Sequence, residues 1–563
     1  MTLNLRAAAV TIALLVAVTG GGTAFAQKAG GILKMYSIDS PASVSILEES
    51  TVFAEGPMMG VFNNLIMFDQ HVKQNSLQSI VPDLATCWSW SEDGTELNLP
   101  LRQGVKWHDG KPFTAQDVKC TWDLLMDAAS EKLRVNPRKA SYRNLDRITT
   151  NGDWEVTFHL KRPQPAFPML LADGFSPIYP CHVAPRDMRQ HPIGTGPFKF
   201  VEFKPNEYIK VTRNPDYWKP DRPYLDGIEY AIVKNISTAV LGFISGKFDS
   251  TFIPVSLTVP LLKDVQSQMP QAICELASNG INRHLLVNRE KPPFDNTDLR
   301  RAMALSLDRK AFIDILYQGQ GEIGGVLQPA PAGLWGMPPD LLSQLPGYDP
   351  DVQKNRAQAR AIMEQLGYGP DHRLKITVST RDLPAYRDPA VILIDQLKEV
   401  HFDGELETID TTNYFPRIRR KDFTVGLSLQ TSGPDPDPTL DLFYGCGSNL
   451  NWDGYCSPEL DSLIERQSRE GDPEKRKQLL WAIERKLAED DARPIIFYAP
   501  GGVCWQPYVK GVTIMATASS TAIAGRTSGS TNSPGTTVPL QADSAARSKC
   551  GRLRALPLCR RAR

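Results

Sequence analysis

Between residues 30 and 515 the chain alternates short strand-like and helix-like patterns, and this alternation constrains the fold more than any other feature. Residues 154–160 and 374–378 place apolar side chains at every second position, which is the period of a half-buried strand. Asp472 and Pro473 open a segment in which apolar residues recur at helical spacing up to Leu487. Mixed strands and helices over this length predict an α/β or α+β chain of several lobes.

The chain is too long for one hydrophobic core, and its charge is unevenly distributed. With 563 residues, two or three domains are expected. The formal net charge is zero, but residues 516–563 hold eight Lys or Arg and one Asp. Removing these from the 63 basic and 63 acidic residues leaves 55 and 62, so residues 1–515 carry a net charge of −7. A mildly acidic body argues against nucleic acid or an anionic membrane surface as a partner.

Residues 1–26 have the pattern of a cleaved signal peptide. Arg6 supplies a basic start, residues 7–18 are uncharged, and the tripeptide Ala-Phe-Ala at residues 24–26 forms a cleavage signal before Gln27. The uncharged run is too short to span a bilayer as a helix. Because no cysteine stands at the cleavage point, the sequence predicts a secreted, periplasmic protein without a lipid anchor.

The nine cysteines include no C-x-x-C pair, so zinc ribbons and thioredoxin-type redox sites have no support. Export permits disulfides. Cys446 and Cys456 bracket a loop rich in glycine and asparagine, and they are candidates for a disulfide that staples this loop. Two buried free thiols are the alternative.

The common short motifs of catalysis are missing from the body of the chain. It contains no G-x-S-x-G, no H-E-x-x-H and no G-x-x-x-x-G-K-[ST]. Gly319, Gly321 and Gly324 match G-x-G-x-x-G, but they lack the preceding strand that a dinucleotide site requires. The eight histidines show no metal-ligand spacing. We therefore expect no cofactor and no metal site. We also expect that the protein is not an enzyme, but missing motifs leave catalysis open because paired carboxylates need not be close in sequence.

Five stretches follow one another in a specific order and spacing. They lie at residues 80–126 with WHDGKP, 192–224 with PIGTGPFKF and RNPDYW, 286–316 with NREKPPFDNTDLRRAMALSLDR, 440–463, and 472–512 ending in YVKGV. Together they resemble the extracytoplasmic solute-binding protein family 5, which includes the oligopeptide-, dipeptide- and nickel-binding components of bacterial ABC importers. The resemblance covers residues 30–515.

The resemblance implies a mixed α/β fold of the periplasmic-binding-protein type II kind, with two lobes joined by a hinge and a discontinuous first lobe. Lobe I is expected over residues 27–284, with a small extra subdomain, lobe II over 285–494, and a return segment of lobe I over 495–515. The chain is expected to cross between lobes near residues 282–288 and to return near 493–498. A ligand would be trapped when the lobes close.

The resemblance also implies a function, namely capture of a peptide or peptide-like small solute in the periplasm and its delivery to ABC permease subunits of the inner membrane. The protein is expected to be a monomer. A secreted hydrolase, and a periplasmic chaperone or sensor that reuses the binding fold, are the alternatives from other classes. The cargo stays open between peptides, opines, metal chelates and sugars.

One departure from the family concerns the α-amine of the ligand. Peptide binders of the family hold it with an aspartate ahead of the cysteine-containing loop, and alignment on Asp435-Pro436-Asp437 puts that position on Ser432. A hydroxyl offers no charge partner to an ammonium, and desolvating an unpaired cation is costly. An ordinary dipeptide is therefore in doubt unless Asp435 or Asp437 turns toward the ligand.

Other candidate ligand contacts follow from their positions at strand ends or on the loop between Cys446 and Cys456, where an aromatic face would cover an apolar group. The full set is Tyr36, Ser37, Thr431, Ser432, Asp435, Trp452 and Tyr455. For each of them, packing within the framework is the alternative.

The tail over residues 516–563 breaks the pattern of the body. It has no hydrophobic period, is rich in small polar residues and ends in a short basic stretch. This composition predicts a disordered tail, or one produced by a change of reading frame.

Overall fold

The computed structural model describes residues 30–251 and 257–515, together with Gly529 and Ser530. The predicted signal peptide lies outside the described residues. So does the predicted tail, except that Gly529–Ser530 pair with Val509–Lys510. Within the described ranges, every helix is too short or too polar to cross a membrane.

Strands occur along the whole described chain. They are β1 Ile32–Ser37, β2 Ile66–Phe68, β3 Ile80–Pro82, β4 Ser89–Trp90, β5 Glu96–Pro100, β6 Leu145–Thr150, β7 Glu155–Leu160, β8 Phe198–Lys204, β9 Tyr208–Arg213, β10 Gly227–Ile232, β11 Ile273–Val287, β12 Leu374–Arg381, β13 Phe402–Ile409, β14 Val425–Thr431, β15 Ile495–Trp505, β16 Val509–Lys510 and β17 Gly529–Ser530.

Helices alternate with these strands. They are α1 Val52–Met58, α2 Ala115–Leu125, α3 Phe167–Ala172, α4 Ile236–Ile244, α5 Val259–Gln268, α6 Thr297–Leu305, α7 Arg309–Tyr317, α8 Pro339–Leu342, α9 Val352–Gln365, α10 Pro384–Lys398, α11 Thr411–Arg419, α12 Pro436–Tyr444, α13 Pro458–Arg469 and α14 Pro473–Glu489. Short 3₁₀ turns cover Leu77–Ser79, Lys139–Tyr142 and Asp187–Arg189.

The sheets divide the molecule into two lobes. In the first lobe, one sheet has the order β1-β10-β9-β8, another has the order β4-β5-β7-β6, and β2 pairs with β3. The second lobe is built on a sheet with the order β13-β12-β14-β11-β15, in which β12 runs parallel to both neighbours and β11 antiparallel to both of its own. Each lobe packs helices on its sheets around separate groups of buried apolar residues.

Two long antiparallel strands connect the lobes. Pairing of β11 with β15 runs from Ile273 opposite Trp505 to Ser278 opposite Pro500, and it resumes at Asn282 opposite Tyr498. The register of the ladder shifts between Ser278 and Asn282, and from Ile281 onward β11 also pairs with β14. The predicted outward crossing at residues 282–288 begins at this shift and stays a prediction.

The predicted helix starts are present and have clear physical causes. Thr114 and Asp117 form a capping box at the start of α2, so two backbone N–H groups of the first turn are satisfied reciprocally. The Ser457 side chain accepts a hydrogen bond from the Leu460 N–H at the start of α13. The Asp472 side chain caps α14 in the same way.

Gly194 and Gly196 lie where two backbone segments of the first lobe touch. A Cβ at Gly194 would come within 1.9 Å of the Val61 carbonyl oxygen, and one at Gly196 within 2.5 Å of the Gly60 carbonyl oxygen. The Gly196 N–H donates to the Val61 carbonyl at 2.9 Å. These glycines therefore serve the framework, because only residues without a side chain allow this approach.

Glu484 of α14 is a buried carboxyl group in the core of the second lobe. Its Oε1 accepts a hydrogen bond from the Leu327 N–H at 3.3 Å, and it fills the space above Gly325. Burial raises the pKa of Glu484 to about 8, although hydrogen bonds from backbone groups of Leu327, Val326 and Met337 lower it. The carboxyl group is therefore protonated in the folded protein at neutral pH.

Replacement Glu484→Gln should flatten the dependence of stability on pH. A group whose pKa is higher in the folded than in the unfolded chain contributes stability that is lost as pH rises, here between about 4.5 and about 8. At about 1.36 kcal/mol per pKa unit, the wild type loses up to roughly 5 kcal/mol across this window, and the glutamine variant is spared that loss. Thermal unfolding at pH 5, 7 and 9 measures the difference, and parallel curves for both proteins would contradict the assignment.

Candidate functional site

A cavity of about 440 Å³ lies between the two lobes. Its volume falls in the range of pockets that enclose a small molecule. Its walls are mainly apolar and aromatic, and both lobes contribute to them. The aromatic wall residues include Phe53, Tyr142 and Phe175 from the first lobe and Tyr317, Tyr386, Phe415, Phe443 and Trp452 from the second.

The connecting strand β11 and its neighbour β14 form part of this wall. Ile281 lies opposite Thr431 in the ladder, and Arg283 lies opposite Leu429. All four residues line the cavity. Directly paired residues project to the same face of a sheet, so this face of β11 and β14 is turned toward the space between the lobes.

A buried ion pair joins the lobes beside the cavity. Arg381, at the end of β12, contacts Asp39, which follows β1, and their side chains are 3% and 7% exposed. Thr411 donates to the same Asp39 carboxylate and accepts from Arg381 Nε at 2.8 Å. Burial alone would lower the pKa of Arg381, but Tyr386 and Asp39 outweigh it and raise that pKa. The pair is therefore well satisfied by partners from both lobes.

Helix α12 of the second lobe makes further contacts with the first lobe. Gln164 Nε2 donates to Asp437 Oδ2 at 2.6 Å, and Arg143 lies 3.3 Å from Asp441. Burial raises the pKa of Asp441 to about 7, against the lowering effect of Arg143. These contacts join α12 to the first lobe.

Arg138 is a second buried cation in the wall. Its guanidinium lies 3.6 Å from the centre of the Phe175 ring, and its Nη1 donates to the Glu49 carbonyl at 2.8 Å. Burial lowers the pKa of Arg138 to about 10, while the nearby Asp173 and Glu55 act in the opposite direction. Backbone oxygens and acidic neighbours therefore compensate this charge.

The structure brings some of the sequence-predicted residues to the cavity and leaves others in the framework. Thr431, Asp435 and Trp452 line the main cavity. Ser432 lies next to it, in a side pocket of about 30 Å³, and its N–H donates to the Gly280 carbonyl. Any contact of these residues with a ligand stays a prediction.

Tyr36, Ser37 and Tyr455 do not line the cavity. The Tyr36 ring packs edge-on against Phe248, and Ser37 donates to the Asp39 carbonyl at 2.8 Å. Both belong to β1 itself rather than to the segment after it. The Tyr455 hydroxyl donates to Asp490 Oδ2 at 2.7 Å.

Neither Asp435 nor Asp437 is free to take the place of the missing amine partner. Asp435 accepts two hydrogen bonds from Arg476, at 2.6 and 2.7 Å. Asp437 is fully buried and accepts from Gln164, Gln467 and Ser468. Turning Asp435 toward a ligand would leave Arg476 as an unpaired buried charge, at a cost of roughly 3–5 kcal/mol.

A disulfide joins Cys446 to Cys456 and closes the loop that carries Trp452. Arg493, which lies just before β15, contacts this loop. Its Nη2 donates to the Leu450 carbonyl at 2.7 Å, and its Nε lies 3.3 Å from Asp453 Oδ1. The Arg493 guanidinium also lies 5.7 Å from the Trp452 ring. Among pairs of described residues, disulfides also join Cys120 to Cys181 and Cys274 to Cys504, and neither pair was singled out from the sequence.

Sequence reasoning missed the three wall arginines, Arg138, Arg283 and Arg381. They belong to no short motif, and the acceptors of Arg138 and the acidic partner of Arg381 lie far away in the chain. Position at the end of a predicted strand was the one available signal for Arg381. In the described ranges no cluster of three or more His, Cys, Asp or Glu has the arrangement of a metal site.

Known proteins match this chain over most of its length. A di/tripeptide-binding protein of Pseudomonas aeruginosa is 27% identical over 463 residues, which cover 76% of this chain and 81% of that protein. A periplasmic binding protein of Helicobacter pylori, solved with the peptide STSA, superposes with a TM-score of 0.78 at 20% identity and covers 88% of this chain and 98% of its own. The protein AgaA of A. tumefaciens, solved with agropinic acid, gives 0.77 at 19% identity, with coverages of 90% and 99%.

These similarities confirm the predicted fold class, a mixed α/β architecture of two lobes with a hinge and a discontinuous first lobe. The model of the bacterial extracellular solute-binding proteins, family 5 Middle, matches residues 79–451, which is more than half of the chain. The resemblance drawn from the five sequence stretches is thereby confirmed. The chain belongs to the bacterial extracellular solute-binding proteins of family 5.

Proposed function

We propose that this protein captures a peptide-like small solute between its lobes in the periplasm and delivers it unchanged to the permease subunits of an ABC importer. The observation that carries the proposal is the cavity of about 440 Å³ enclosed by both lobes and flanked by a buried interlobe ion pair. Relatives named for di/tripeptide and oligopeptide binding support the class of cargo. The protein acts by binding, without turnover of the solute.

The proposed location is the periplasm, reached through a cleaved signal peptide at residues 1–26 and without a lipid anchor. The disulfides of the described chain support an oxidising compartment. The proposed lobes are residues 27–284 with the return segment 495–515, and residues 285–494. Separate clusters of buried apolar residues support a division of the body into two lobes.

Solute capture proceeds by closure about the two connecting strands. In an open form, Asp39 and Arg381 are each exposed to water, and closure brings them together next to the solute. The solute adds contacts to both walls, so its binding free energy favours the closed form. Permease subunits then distinguish the closed from the open shape.

A thermal-shift screen of residues 27–515 tests the proposed function. The series contains dipeptides, longer peptides, nickel chelates, opines and oligosaccharides. A solute at 100 times its dissociation constant should stabilise the protein by about 2.7 kcal/mol, and it should be recovered unchanged afterwards. A lack of any shift across the series, or recovery of a cleaved solute, would contradict the proposal.

Blocking the α-amine of a peptide should change its affinity little, by less than about tenfold. Ser432 offers no charge, and Asp435 and Asp437 are engaged within the protein. Calorimetric titration with Leu-Leu and N-acetyl-Leu-Leu makes the comparison. A much tighter complex with the free amine would show that a carboxylate of the cavity binds the ammonium after all.

The variant Asp39→Asn should destabilise the closed form by roughly 3–5 kcal/mol, because it leaves Arg381 buried without a counter-charge. Opening of the lobes exposes Arg381 to water and relieves this cost. Small-angle X-ray scattering should therefore report a larger radius of gyration than for the wild type.

The matched control is Asp388→Asn, which removes the same charge from an exposed carboxylate at the cavity mouth. Its scattering curve should coincide with that of the wild type. Identical curves for Asp39→Asn and the wild type, with both folded by circular dichroism, would show that the ion pair does not hold the lobes together.

A further inference from the structure

Arg283 differs from the other two arginines of the cavity wall because it has no acidic partner among the described residues. Arg381 pairs with Asp39, and Arg138 lies near Asp173 and Glu55. Arg283 is 6% exposed and lines the cavity, yet it makes no ion pair with any carboxylate in residues 30–251 or 257–515. Its charge is thus not balanced by an acidic side chain of the described residues.

The guanidinium of Arg283 is held in place by neutral groups. Its Nη2 donates to the Tyr317 hydroxyl at 3.0 Å and its Nη1 to the Ile281 carbonyl at 3.2 Å. The rings of Phe497 and Tyr317 lie 5.4 and 5.7 Å from its central carbon. Nε has no acceptor, so a group with five donors has unused capacity.

A cation in a cavity wall that lacks a counter-ion and a full set of acceptors gains stability when a ligand supplies the opposite charge. The acidic groups of the wall cannot supply it, since Asp435 is taken by Arg476 and Asp388 lies beside Arg387 at the mouth. Asp173 accepts from the Phe175 N–H and lies near Arg138. The positive charge of Arg283 is therefore balanced only when an anion occupies the cavity.

We infer that the solute is an anion whose carboxylate pairs with Arg283, and whose remaining, largely apolar body fills the aromatic part of the cavity. This inference rests on the proposed function, because it names the chemical class of the captured solute. Guanidinium and carboxylate groups are matched in shape and form short charge-assisted hydrogen bonds. Because Arg283 lies on β11, the carboxylate binds directly on a strand that both lobes share.

The test uses matched pairs of compounds that differ only in charge, namely N-acetyl-Leu-Leu and its C-terminal amide. The wild type should bind the acid roughly 10- to 100-fold more tightly than the amide, which is the range of one hydrogen-bonded charge. In Arg283→Gln this preference should fall to less than about threefold, through loss of affinity for the acid alone. In Arg283→Lys, which keeps the charge, part of the preference should return.

The control variant Arg387→Gln removes a positive charge at the cavity mouth, where Arg387 lies beside the exposed Asp388. It should keep the preference of the wild type for the acid. Because the readout is a ratio of two affinities within one variant, a general loss of folding or closure would lower both affinities and leave the ratio unchanged.

Equal binding of acid and amide by the wild type would overturn the inference and leave solute capture standing. A preference for the acid that survives Arg283→Gln would overturn the role of Arg283. If a neutral sugar or an amide, and no acid, stabilises the protein in the wider screen, the inference fails while the proposed function holds. If nothing in that screen binds, the proposed function itself fails.

Discussion

The pairing of two long antiparallel strands is the constraint on which the molecule depends. β11 and β15 pair at one end within the first lobe and at the other within the sheet of the second. The Cys274–Cys504 disulfide joins directly opposite residues on the first-lobe side, so this end of the ladder is fixed. The break in the ladder at Ser278–Asn282 lies beside the cavity wall at Ile281. Connection and binding site are therefore one structure.

Among the arginines of the cavity wall, Arg381 and Arg138 have acidic side chains nearby, and Arg283 does not. Asp39 and Arg381 compensate each other across the interface, and Asp435 and Arg476 do so within the second lobe. Arg283 has neutral partners only. Since Arg283 also lines the cavity, we infer that its missing counter-charge belongs to the cargo. The rest of the wall is apolar, and it can contact apolar groups of a solute without selecting one particular side chain of that solute.

Local sequence rules predicted the elements well, and long-range contacts much less. The caps at Thr114, Ser457 and Asp472 follow from interactions within one turn, so they can be read from neighbouring residues. The loop between Cys446 and Cys456 is also local. By contrast, the contact of Asp39 with Arg381 joins residues 342 positions apart, and no periodicity or motif specifies such a pair. Tyr36 was predicted for the cavity from its place near a strand end, but its ring packs against Phe248 among buried residues of the first lobe.

We propose that one small anionic solute is held between the lobes and released unchanged. Native mass spectrometry tests it most directly, after the purified protein has been incubated with a mixture of cellular metabolites and freed of excess solute. We expect a single adduct, with one solute per chain, whose released form has the same mass as in the mixture and carries a carboxylate. A protein that stays without an adduct, or that releases hydrolysed fragments, would contradict it.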